Sequence, residues 1–513
     1  MKAFLLHKQK DFDLDRELPP NEQALVKDLE LGTLFDAMAG GDAFLIDVAK
    51  SVVLSSLKDP TEVVYRQRVL NDCMEQPSVV KEIYDIAVEA IDGERKVWRS
   101  SFGYPDAVLD RSVEVLQLFV GLLKQLRRVA DEHAEAFRSD GFSVFFEMLT
   151  QELDDEYFRT VEDHLRDLRF RRGVLISARL GKGNTGADYV LRKTRPTKWS
   201  WRQWIPVRER SAYTLVIPPR DEGGMRALSE LRGRGINLVA NALAQSTDHI
   251  LSFFSMVRFE LGFYLGCLNL RRQLTAKGEP LCFPAPAAPG SLVLSCRGLY
   301  DVGLALILRE RRVVGNDVNA DDRSLVIVTG ANQGGKSTFL RSVGLAQLMM
   351  QCGMFVPAEA YRANICDGLF THYKREEDPT MTSGKLDEEL SRMSDIADQL
   401  SPNCMVLFNE SFAATNEREG AEIARAIVRA LLEAGIKVFF VTHSFELAHG
   451  FYGRGMGDAL FLRAERQADG GRTFRLVEGE PLPTSYGEDL YERIFGEAPD
   501  VAPTTLAPKA PAV

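Results

Sequence analysis

The sequence predicts an α/β domain with a parallel-sheet core in its C-terminal half, preceded by a mostly α-helical domain that carries a small β insertion. Three observations predict this fold class. After residue 290, short apolar runs alternate with amphipathic helical runs, which is the pattern of a parallel sheet with crossover helices. Before residue 278, apolar residues recur at helical spacing over long stretches. The stretch 278–290, rich in proline and alanine, separates the two regions.

The composition limits the class of protein. The 513 residues are enough for two or more domains, and 45% hydrophobic with 27% charged residues is typical of an ordinary soluble protein. A net charge of −10 argues against coating nucleic acid by bulk charge, although it leaves room for a local basic patch. Seven scattered cysteines without a C-x-x-C pair indicate neither zinc nor a disulfide framework. No signal peptide and no membrane-spanning window is recognised, so the cytoplasm is the simplest compartment.

The first hundred residues comprise a polar segment followed by a region with the apolar spacing of helices. Residues 1–28 predict little beyond a possible strand at 3–6. From residue 30 to about 96 the apolar spacing is helical, and Asp59-Pro60 is typical of an N-cap followed by proline at the first helical position. This region therefore predicts packed helices without a chemical site.

Three further helices are predicted before residue 278. Two cover residues 108–138 and 143–169, and a third runs from residue 235 to about 274. The third would be a rod of roughly 60 Å at 1.5 Å per residue. Such a rod is suited to carry movement between distant regions, although a plain structural helix has the same pattern.

A basic β insertion is predicted at about 171–220. Strand-like runs at 173–178 and 188–193 flank a glycine-rich turn, and 212–217 is a third candidate strand. Between residues 166 and 220 fourteen Lys or Arg face three acids, and three of the four tryptophans lie there. This mixture suits nucleic-acid backbones and unstacked bases, but a structural hairpin with solvated charges explains it as well. The basic residues predicted to contact DNA are Arg171, Arg172, Arg192, Lys193, Arg195, Lys198 and Arg202.

A glycine-rich turn lies between a strand and a helix of the α/β part. Residues 324–338 read SLVIVTGANQGGKST and fit G-x-x-x-x-G-K-[ST], the phosphate-binding P-loop. Glycines let backbone N–H groups curl around phosphate oxygens, and the helix N-terminus and Lys336 add positive charge. The Ser337 hydroxyl can bind Mg²⁺. The residues predicted to bind the nucleotide are Gly330, Ala331, Asn332, Gln333, Gly334, Gly335, Lys336, Ser337 and Thr338.

Two later strands end in polar residues. The apolar run at 404–410 ends in Asn409 and Glu410, where P-loop ATPases place an acid for the magnesium shell and then a carboxylate that activates water. Glu410 is therefore the candidate general base, and Asn409 the candidate for the magnesium shell. The run at 437–441 leads to His443, which is placed to sense the γ-phosphate. A lone histidine is more often structural, but its position after a core strand favours the site.

Five segments, in the same order, resemble the ATPase domain of MutS-type DNA mismatch-repair proteins. The resemblance is firm over about 280–497 and looser around 29–90 and in the long helix. The segments are GANQGGKST at 330–338, MTSGKLDEELSRM at 381–393, VLFNESFAATNEREG at 406–420, VTHSFELAH at 441–449 and FRLVEGEPLPTSYG at 474–487.

The resemblance implies an ABC-ATPase-like P-loop fold, ATP with Mg²⁺, and a homodimer whose two ATPase domains form composite sites. Ser383 matches the signature serine that touches the γ-phosphate held by the other subunit. Glu410 and Lys336 match catalytic residues, and His443 matches the switch histidine. Asn332 matches the P-loop asparagine of the family, and Thr415 and Asn416 lie where its dimer-facing loop does.

Three departures from the family pattern affect these expectations. Asn409 stands where the family has aspartate, which predicts weaker metal affinity and slower hydrolysis. The loop SFAATN after Glu410 lacks the glycine-rich string of the family. The roughly 280 residues before the ATPase part leave no room for complete mismatch-reading and connector modules, so these are expected to be absent. No aromatic residue that could bracket adenine is evident at 313–319.

The predicted organisation is an N-terminal segment at 1–28, a helical core and lever domain at 29–277, an ATPase domain at 278–497 and a disordered tail at 498–513. Two functions remain open. One is a dimeric ATPase that couples hydrolysis to binding structured or branched DNA in repair or recombination. The other is a slowly hydrolysing, nucleotide-gated switch that binds a protein partner without direct DNA recognition. A transporter-type or chromosome-organising ATPase fits less well, because no LSGGQ-like signature and no long coiled coil is present.

Overall fold

The computed structural model describes residues 1–97, 104–171, 173–193, 214–308, 312–375, 384–467 and 471–483. These residues form helices and strands with the following bounds. The helices are α1 Glu22–Asp28, α2 Leu31–Ala39, α3 Ala43–Val53, α4 Pro60–Glu75, α5 Pro77–Lys96, α6 Pro105–His133, α7 Asp140–Glu152, α8 Asp155–Leu168, α9 Glu222–Ala276, α10 Val302–Ile307, α11 Lys336–Gln351, α12 Lys385–Ala397, α13 Glu417–Glu433 and α14 Phe445–Tyr452. The strands are β1 Leu175–Leu180, β2 Gly186–Arg192, β3 Ala285–Ala287, β4 Leu294–Leu299, β5 Asn316–Asn319, β6 Leu325–Gly330, β7 Ala360–Asn364, β8 Leu369–Tyr373, β9 Met405–Asn409, β10 Lys437–Val441, β11 Ala459–Arg466 and β12 Arg472–Glu478.

The chain divides into two compact units. The first holds Met1–Asp13 and Asn71–Gly262, and the second holds Leu14–Leu70 and the residues from Phe263 onward. The sequence instead groups 29–277 together, because helical periodicity does not say which partner each helix packs against. The functional domain boundaries drawn from the sequence stay a prediction.

The first unit is mostly helical. Apolar faces of α6, α7 and α9 pack together, with the rings of Phe119 and Phe254 at 5.5 Å and those of Phe145 and Phe253 at 6.4 Å. A helix over 108–138 is confirmed, whereas 143–169 belongs to two helices. The break falls at Asp154, whose carboxylate accepts the Tyr157 N–H at 2.7 Å and so caps α8.

The predicted β hairpin is present, but two other predicted strands are not. β1 and β2 pair in antiparallel fashion on either side of the glycine-rich turn. Residues 214–217 form no strand, and 212–213 lie outside the described residues. Residues 3–6 form no strand either, because the Leu5 and Leu6 N–H groups donate to the carboxylate of Glu260 rather than to a neighbouring strand.

The long helix α9 has 55 residues and begins at Glu222, earlier than the predicted start at 235. At 1.5 Å per residue it is about 80 Å long. One 18-residue window in it has a mean hydropathy of 1.3, so by length and composition it qualifies as a candidate membrane span, contrary to the sequence prediction. Of that window 61% is buried inside the protein, which is also typical of a core helix.

The second unit is built on a six-stranded sheet in the order β12-β11-β6-β10-β9-β8. All neighbours in it are parallel except the β11–β12 pair. A four-stranded sheet, β3-β7-β4-β5, belongs to the same unit. β6, β9 and β10 are almost wholly buried, which explains their continuous apolar sequences. The parallel-sheet core predicted from the alternating pattern is therefore present.

The N-terminal helices join this second unit through specific contacts. The Asn21 side chain donates to the Leu369 carbonyl at 2.7 Å, and the carboxylate of Asp28 lies 2.7 Å from the Arg375 guanidinium. Buried polar groups of this kind are stable only when paired, so these contacts specify how α1 sits beside β8.

Candidate nucleotide-binding site

The predicted site residues lie at the carboxyl ends of neighbouring parallel strands. β6 leads into the P-loop and has β10 on one side and β11 on the other. β9, which ends at Asn409, is the next strand beyond β10. The P-loop, the Asn409-Glu410 pair and His443 therefore meet at one edge of the sheet. Ligands of open α/β sheets bind outside this edge, so a ligand is expected there.

The P-loop turn requires glycine at defined points. Gly330 and Gly335 have φ angles of 106° and 89°, in the region that side chains rarely adopt. A Cβ at Gly330 would lie 2.8 Å from the Ala464 backbone nitrogen, and one at Gly334 would lie 2.6 Å from the Ala464 Cβ. The neighbouring atom is backbone at Gly330 and a side-chain methyl group at Gly334, so a residue larger than glycine would collide at both positions.

Lys336 begins α11 and is buried. Its ammonium group donates to the carbonyls of Gly330 and Ala331 at 3.0 and 2.9 Å. Burial lowers the pKa of Lys336 to about 8; the carboxylate of Glu410 opposes this shift, and Arg472 adds to it. The lysine is thus held inside the turn, with its charge beside both the P-loop and the candidate base.

Ser337 and Asn409 meet across the site. The Ser337 hydroxyl donates to Asn409 Oδ1 at 2.9 Å, although the two residues are 72 positions apart. Hydroxyl and amide oxygens are ligands that Mg²⁺ accepts, usually together with water and substrate phosphates. The residues present therefore fit a magnesium ion, and the pair supplies no negative charge to it.

Glu410 and His443 also meet. His443 Nε2 lies 2.7 Å from Glu410 Oε1, and each side chain is about one-third exposed (31%). The hydrogen bond from His443 lowers the pKa of Glu410, burial opposes this, and the charges of His443, Lys336 and Lys374 lower it further. Glu410 is therefore ionised at neutral pH and able to accept a proton.

A cavity of about 350 Å³ adjoins this pair. Glu410, His443 and Lys374 contribute to its wall, together with Thr415 and residues of α13. The side chains of Thr415 and Asn416 are engaged within their own segment: Thr415 Oγ1 lies 2.5 Å from Glu419 Oε2, and Asn416 caps α13 by accepting the Glu419 N–H at 3.0 Å. Their predicted place in a dimer-facing loop stays a prediction.

The remaining predicted ligand residues divide into three groups. Asn332 and Gln333 are exposed in the P-loop, where Gln333 has a φ of 59°. Thr338 lies in the first turn of α11. Ser383 lies outside the described residues.

Some residues near the site were not recognised from the sequence. Arg472 of β12 donates through Nε to the Asn332 carbonyl at 3.3 Å. Lys374 lines the cavity beside Glu410. His372 contacts Ser411, the residue after Glu410. None of these three belongs to a motif, because each reaches the site only through the folding of a distant segment.

The basic residues predicted to bind DNA are partly described. Arg171, Arg192 and Lys193 are exposed, and Arg192 Nε donates to Ser177 Oγ at 2.9 Å. Lys193 forms an ion pair with Asp167 at 3.1 Å. Four others lie outside the described residues: Arg172, Arg195, Lys198 and Arg202.

Comparison with known proteins identifies two family models in the chain. The MutS2 N-terminal domain matches residues 58–277, and MutS domain V matches residues 326–490.

Individual relatives cover different parts of the chain. DNA mismatch repair protein MutS of Porphyromonas gingivalis is 35% identical over 446 residues, which is 77% of this chain and 48% of the relative. Endonuclease MutS2 of Lacticaseibacillus paracasei is 35% identical over 52% of this chain and 34% of its own length. MutS protein homolog 4 of Mus musculus is 32% identical over 32% of this chain and 16% of its own length. The chain thus spans less than half the length of each of these relatives.

Fold, site geometry and comparison agree on the class of protein. The second unit contains a P-loop ATPase-type α/β domain, which is the type that MutS domain V represents. The chain belongs to the MutS family, and the resemblance drawn from its five motifs is confirmed.

Proposed function

We propose that this protein binds and hydrolyses ATP, with Mg²⁺, and that it couples hydrolysis to DNA binding in repair or recombination. The observation that carries the proposal is the Glu410 carboxylate, which lies 2.7 Å from His443 Nε2 and directly follows Asn409, the residue that meets Ser337. Binding alone would need only the P-loop. A carboxylate held ionised beside the P-loop lysine adds the group that hydrolysis needs.

Each residue has a defined role in this reaction. P-loop N–H groups and Lys336 hold the phosphates, and Ser337 and Asn409 hold the metal. A bound Mg²⁺ supplies positive charge to the phosphate oxygens. Glu410 accepts a proton as a water oxygen attacks the γ-phosphorus and the bond to ADP breaks. His443 keeps the Glu410 carboxylate oriented through their 2.7 Å contact.

A homodimer is part of the proposal. It rests on family membership, in which Ser383 of one subunit completes the site of the other, as the resemblance implies. One relative is named for DNA mismatch repair and another for endonuclease activity. Either activity in this chain would require contact with DNA. We place the DNA contact on the helical region and the basic insertion, because Arg171, Arg192 and Lys193 are exposed there.

Phosphate release tests the ATPase. Wild type is compared with Glu410→Gln and Lys336→Ala, and with Glu422→Gln as the control, since Glu422 is an exposed glutamate of the same unit. We expect Glu410→Gln to keep ATP binding and to lose roughly 100-fold or more in kcat, as general-base removal typically does. Lys336→Ala should lose ATP binding. Turnover that is independent of Glu410 would contradict the proposed chemistry.

Salt dependence tests the DNA contact. Binding to single-stranded, duplex and branched DNA is measured from 50 to 300 mM salt, conditions chosen as about the range over which counterion release is resolved. The variant Arg171→Ala/Arg192→Ala/Lys193→Ala is compared with Arg297→Ala/Arg362→Ala/Arg418→Ala, which removes the same charge from exposed positions of the second unit. A smaller salt slope in the first variant alone supports the insertion as the contact, and equal slopes exclude it.

The second candidate is a nucleotide-gated switch that hydrolyses slowly and binds a protein partner. The specific observation behind it is that a neutral amide, Asn409, occupies the metal side of the site. Because hydrolysis would be slow, a dimer with ATP bound would persist long enough to be recognised by the protein partner. A partner interaction that needs ATP binding but survives Glu410→Gln, without any DNA binding, favours this candidate.

A further inference from the structure

His372 is a fully buried histidine that lies behind the candidate catalytic residue. It belongs to β8, the strand that pairs with β9, and is 0% exposed. Its Nδ1 lies 2.7 Å from the hydroxyl of Ser411, the residue directly after Glu410. Its Nε2 lies 3.0 Å from the Glu389 carbonyl in α12. The ring therefore touches the turn that carries Glu410 without reaching the P-loop.

The hydrogen-bond partners assign the tautomer of His372. The Glu389 carbonyl can only accept, so the proton lies on Nε2, and Nδ1 accepts from the Ser411 hydroxyl. That hydroxyl also lies 2.5 Å from the His372 carbonyl, so its single hydrogen is shared between this carbonyl and Nδ1. Burial, with the nearby charges of Arg392 and Arg375, lowers the pKa of His372 to about 4. The imidazole is therefore neutral under ordinary conditions.

The turn after β9 needs such support. Glu410 and Phe412 have φ angles of 53° and 62°, the left-handed region that residues other than glycine rarely adopt. Conformations of this kind persist only where surrounding contacts over-determine them. Ser411 stands between these two residues, and its side chain is bound to His372. The Phe412 ring stacks on the imidazole at 5.1 Å and 17°.

We propose that His372 is a positioning residue for ATP hydrolysis. It holds the turn from Glu410 to Phe412 in its left-handed conformation, so that the Glu410 carboxylate lies beside His443 and Lys336. Through the Glu389 carbonyl the same ring ties this turn to α12, the helix that begins two positions after Ser383. This role rests on the proposed ATPase function, and His372 itself touches neither nucleotide nor metal in it.

Two single variants and their combination test the role. His372→Phe keeps a ring that can stack on Phe412 but removes both hydrogen bonds, and Ser411→Ala removes the partner hydroxyl. We expect each to lower kcat about 10- to 100-fold, as small misplacements of a catalytic group do, with an unchanged Kd for ATP. The double variant should lose no more than the larger single effect, because both changes break one interaction. His372→Gln, which can donate to Glu389 and accept from Ser411, should recover part of kcat.

A matched control separates positioning from general loss of a buried histidine. His7→Phe replaces a buried histidine of the first unit that lies beside Phe12, and should leave kcat unchanged. Hydrogen exchange gives a readout that needs no hydrolysis. Amides of 405–416 should exchange faster in His372→Phe than in wild type, whereas those of 325–335 should not change.

If wild type shows no turnover that depends on Glu410, the proposed ATPase function is wrong. The hydrogen-exchange experiment then tests on its own whether His372 holds the turn: unchanged exchange of amides 405–416 in His372→Phe would contradict that role. If wild type is active, a normal kcat in Ser411→Ala, or additive losses in the double variant, overturns the positioning role. Should His372→Phe fail to fold, Ser411→Ala and His372→Gln decide in its place.

Discussion

Side chains at the site are matched in pairs: Lys336 with P-loop carbonyls, Ser337 with Asn409, and Glu410 with His443. The first pair lies within the P-loop, whereas the other two join residues of different motifs. The Ser337–Asn409 pair lacks the negative charge that an acid at position 409 would bring. Two predictions concern single residues.

The first is that Asn409→Asp strengthens magnesium binding. Added negative charge next to Ser337 raises the affinity for a hard cation, so half-maximal turnover should need roughly tenfold less Mg²⁺. Phosphate release measured across a Mg²⁺ titration checks this, with Asn241→Asp on an exposed face of α9 as the control. A large rise in kcat supports the slow switch, and an unchanged rate counts against it.

The second concerns pH. The pKa of Lys336 is lowered to about 8, and only the protonated ammonium attracts phosphate. Affinity for ATP should therefore be nearly full at about pH 7, fall to about half at pH 8 and fall about tenfold by pH 9, one unit above the pKa. Fluorescent ATP titrations from pH 7 to 9.5 measure it, with Lys336→Met as a variant whose weak binding should not change over this range. Constant wild-type affinity up to pH 9.5 would show that the lysine charge is not the source of affinity.

Among the elements, α13 and the turn before it depend on each other. The helix starts at Glu417, just after the left-handed residues Glu410 and Phe412, and is capped by Asn416. Its Gly420 lies against the Phe412 backbone, where a Cβ would come within 2.4 Å of the carbonyl oxygen. Glycine in a helix lowers helix propensity, and here close packing against the turn after β9 requires it.

Gly420→Ala is therefore expected to destabilise the second unit and to lower kcat. The overlap is with backbone, which cannot rotate away, so it outweighs the gain in helix propensity. Gly121→Ala in α6 is the matched control, because nothing lies within 4 Å of its added Cβ. That control should stabilise by about 0.5–1 kcal/mol. Calorimetric midpoints should shift in opposite directions, and a stabilised Gly420→Ala would refute the packing argument.

For the whole molecule, segments far apart in sequence form each unit. Residues 1–13 join a unit whose other residues begin at Asn71, and one buried link between them is the carboxylate of Glu260. Besides the Leu5 and Leu6 N–H groups, it accepts the Phe12 N–H at 3.1 Å. Burial raises the pKa of Glu260 to about 7 against these three hydrogen bonds.

The stability of the first unit should therefore depend on pH through Glu260. A folded pKa above the ordinary 4.5 means that the folded state binds the proton more tightly. The protonation of Glu260 therefore adds to the free energy of unfolding in full below pH 4.5, and this stabilisation is lost as pH rises through about 7. The difference in pKa between the two states corresponds to roughly 3 kcal/mol. Unfolding measured at pH 5 and pH 8 should show a smaller difference in Glu260→Gln than in wild type. Glu135→Gln, on the surface, is the control, and an equal difference in both variants would remove Glu260 as the cause.

Much of the fold and site could be predicted from local sequence. The P-loop turn, the strands leading to Asn409 and His443, and the β1–β2 hairpin, whose outermost pair is Leu175 with Arg192, each depend on residues close together in sequence. Glycine conformations, strand burial and helix caps act over this range. Failures occurred where a distant group intervenes: residues 3–6 form no strand because Glu260 accepts their N–H groups.

The sequence by itself determined the class of domain, the P-loop and the family, because steric and hydrogen-bonding rules for short segments leave few alternatives. Only the tertiary structure decided which groups complete the site. His372 meets Ser411 over 39 positions and Arg472 meets Asn332 over 140. Such contacts exist only after burial of apolar surface has brought the strands together, and no local pattern encodes the partner.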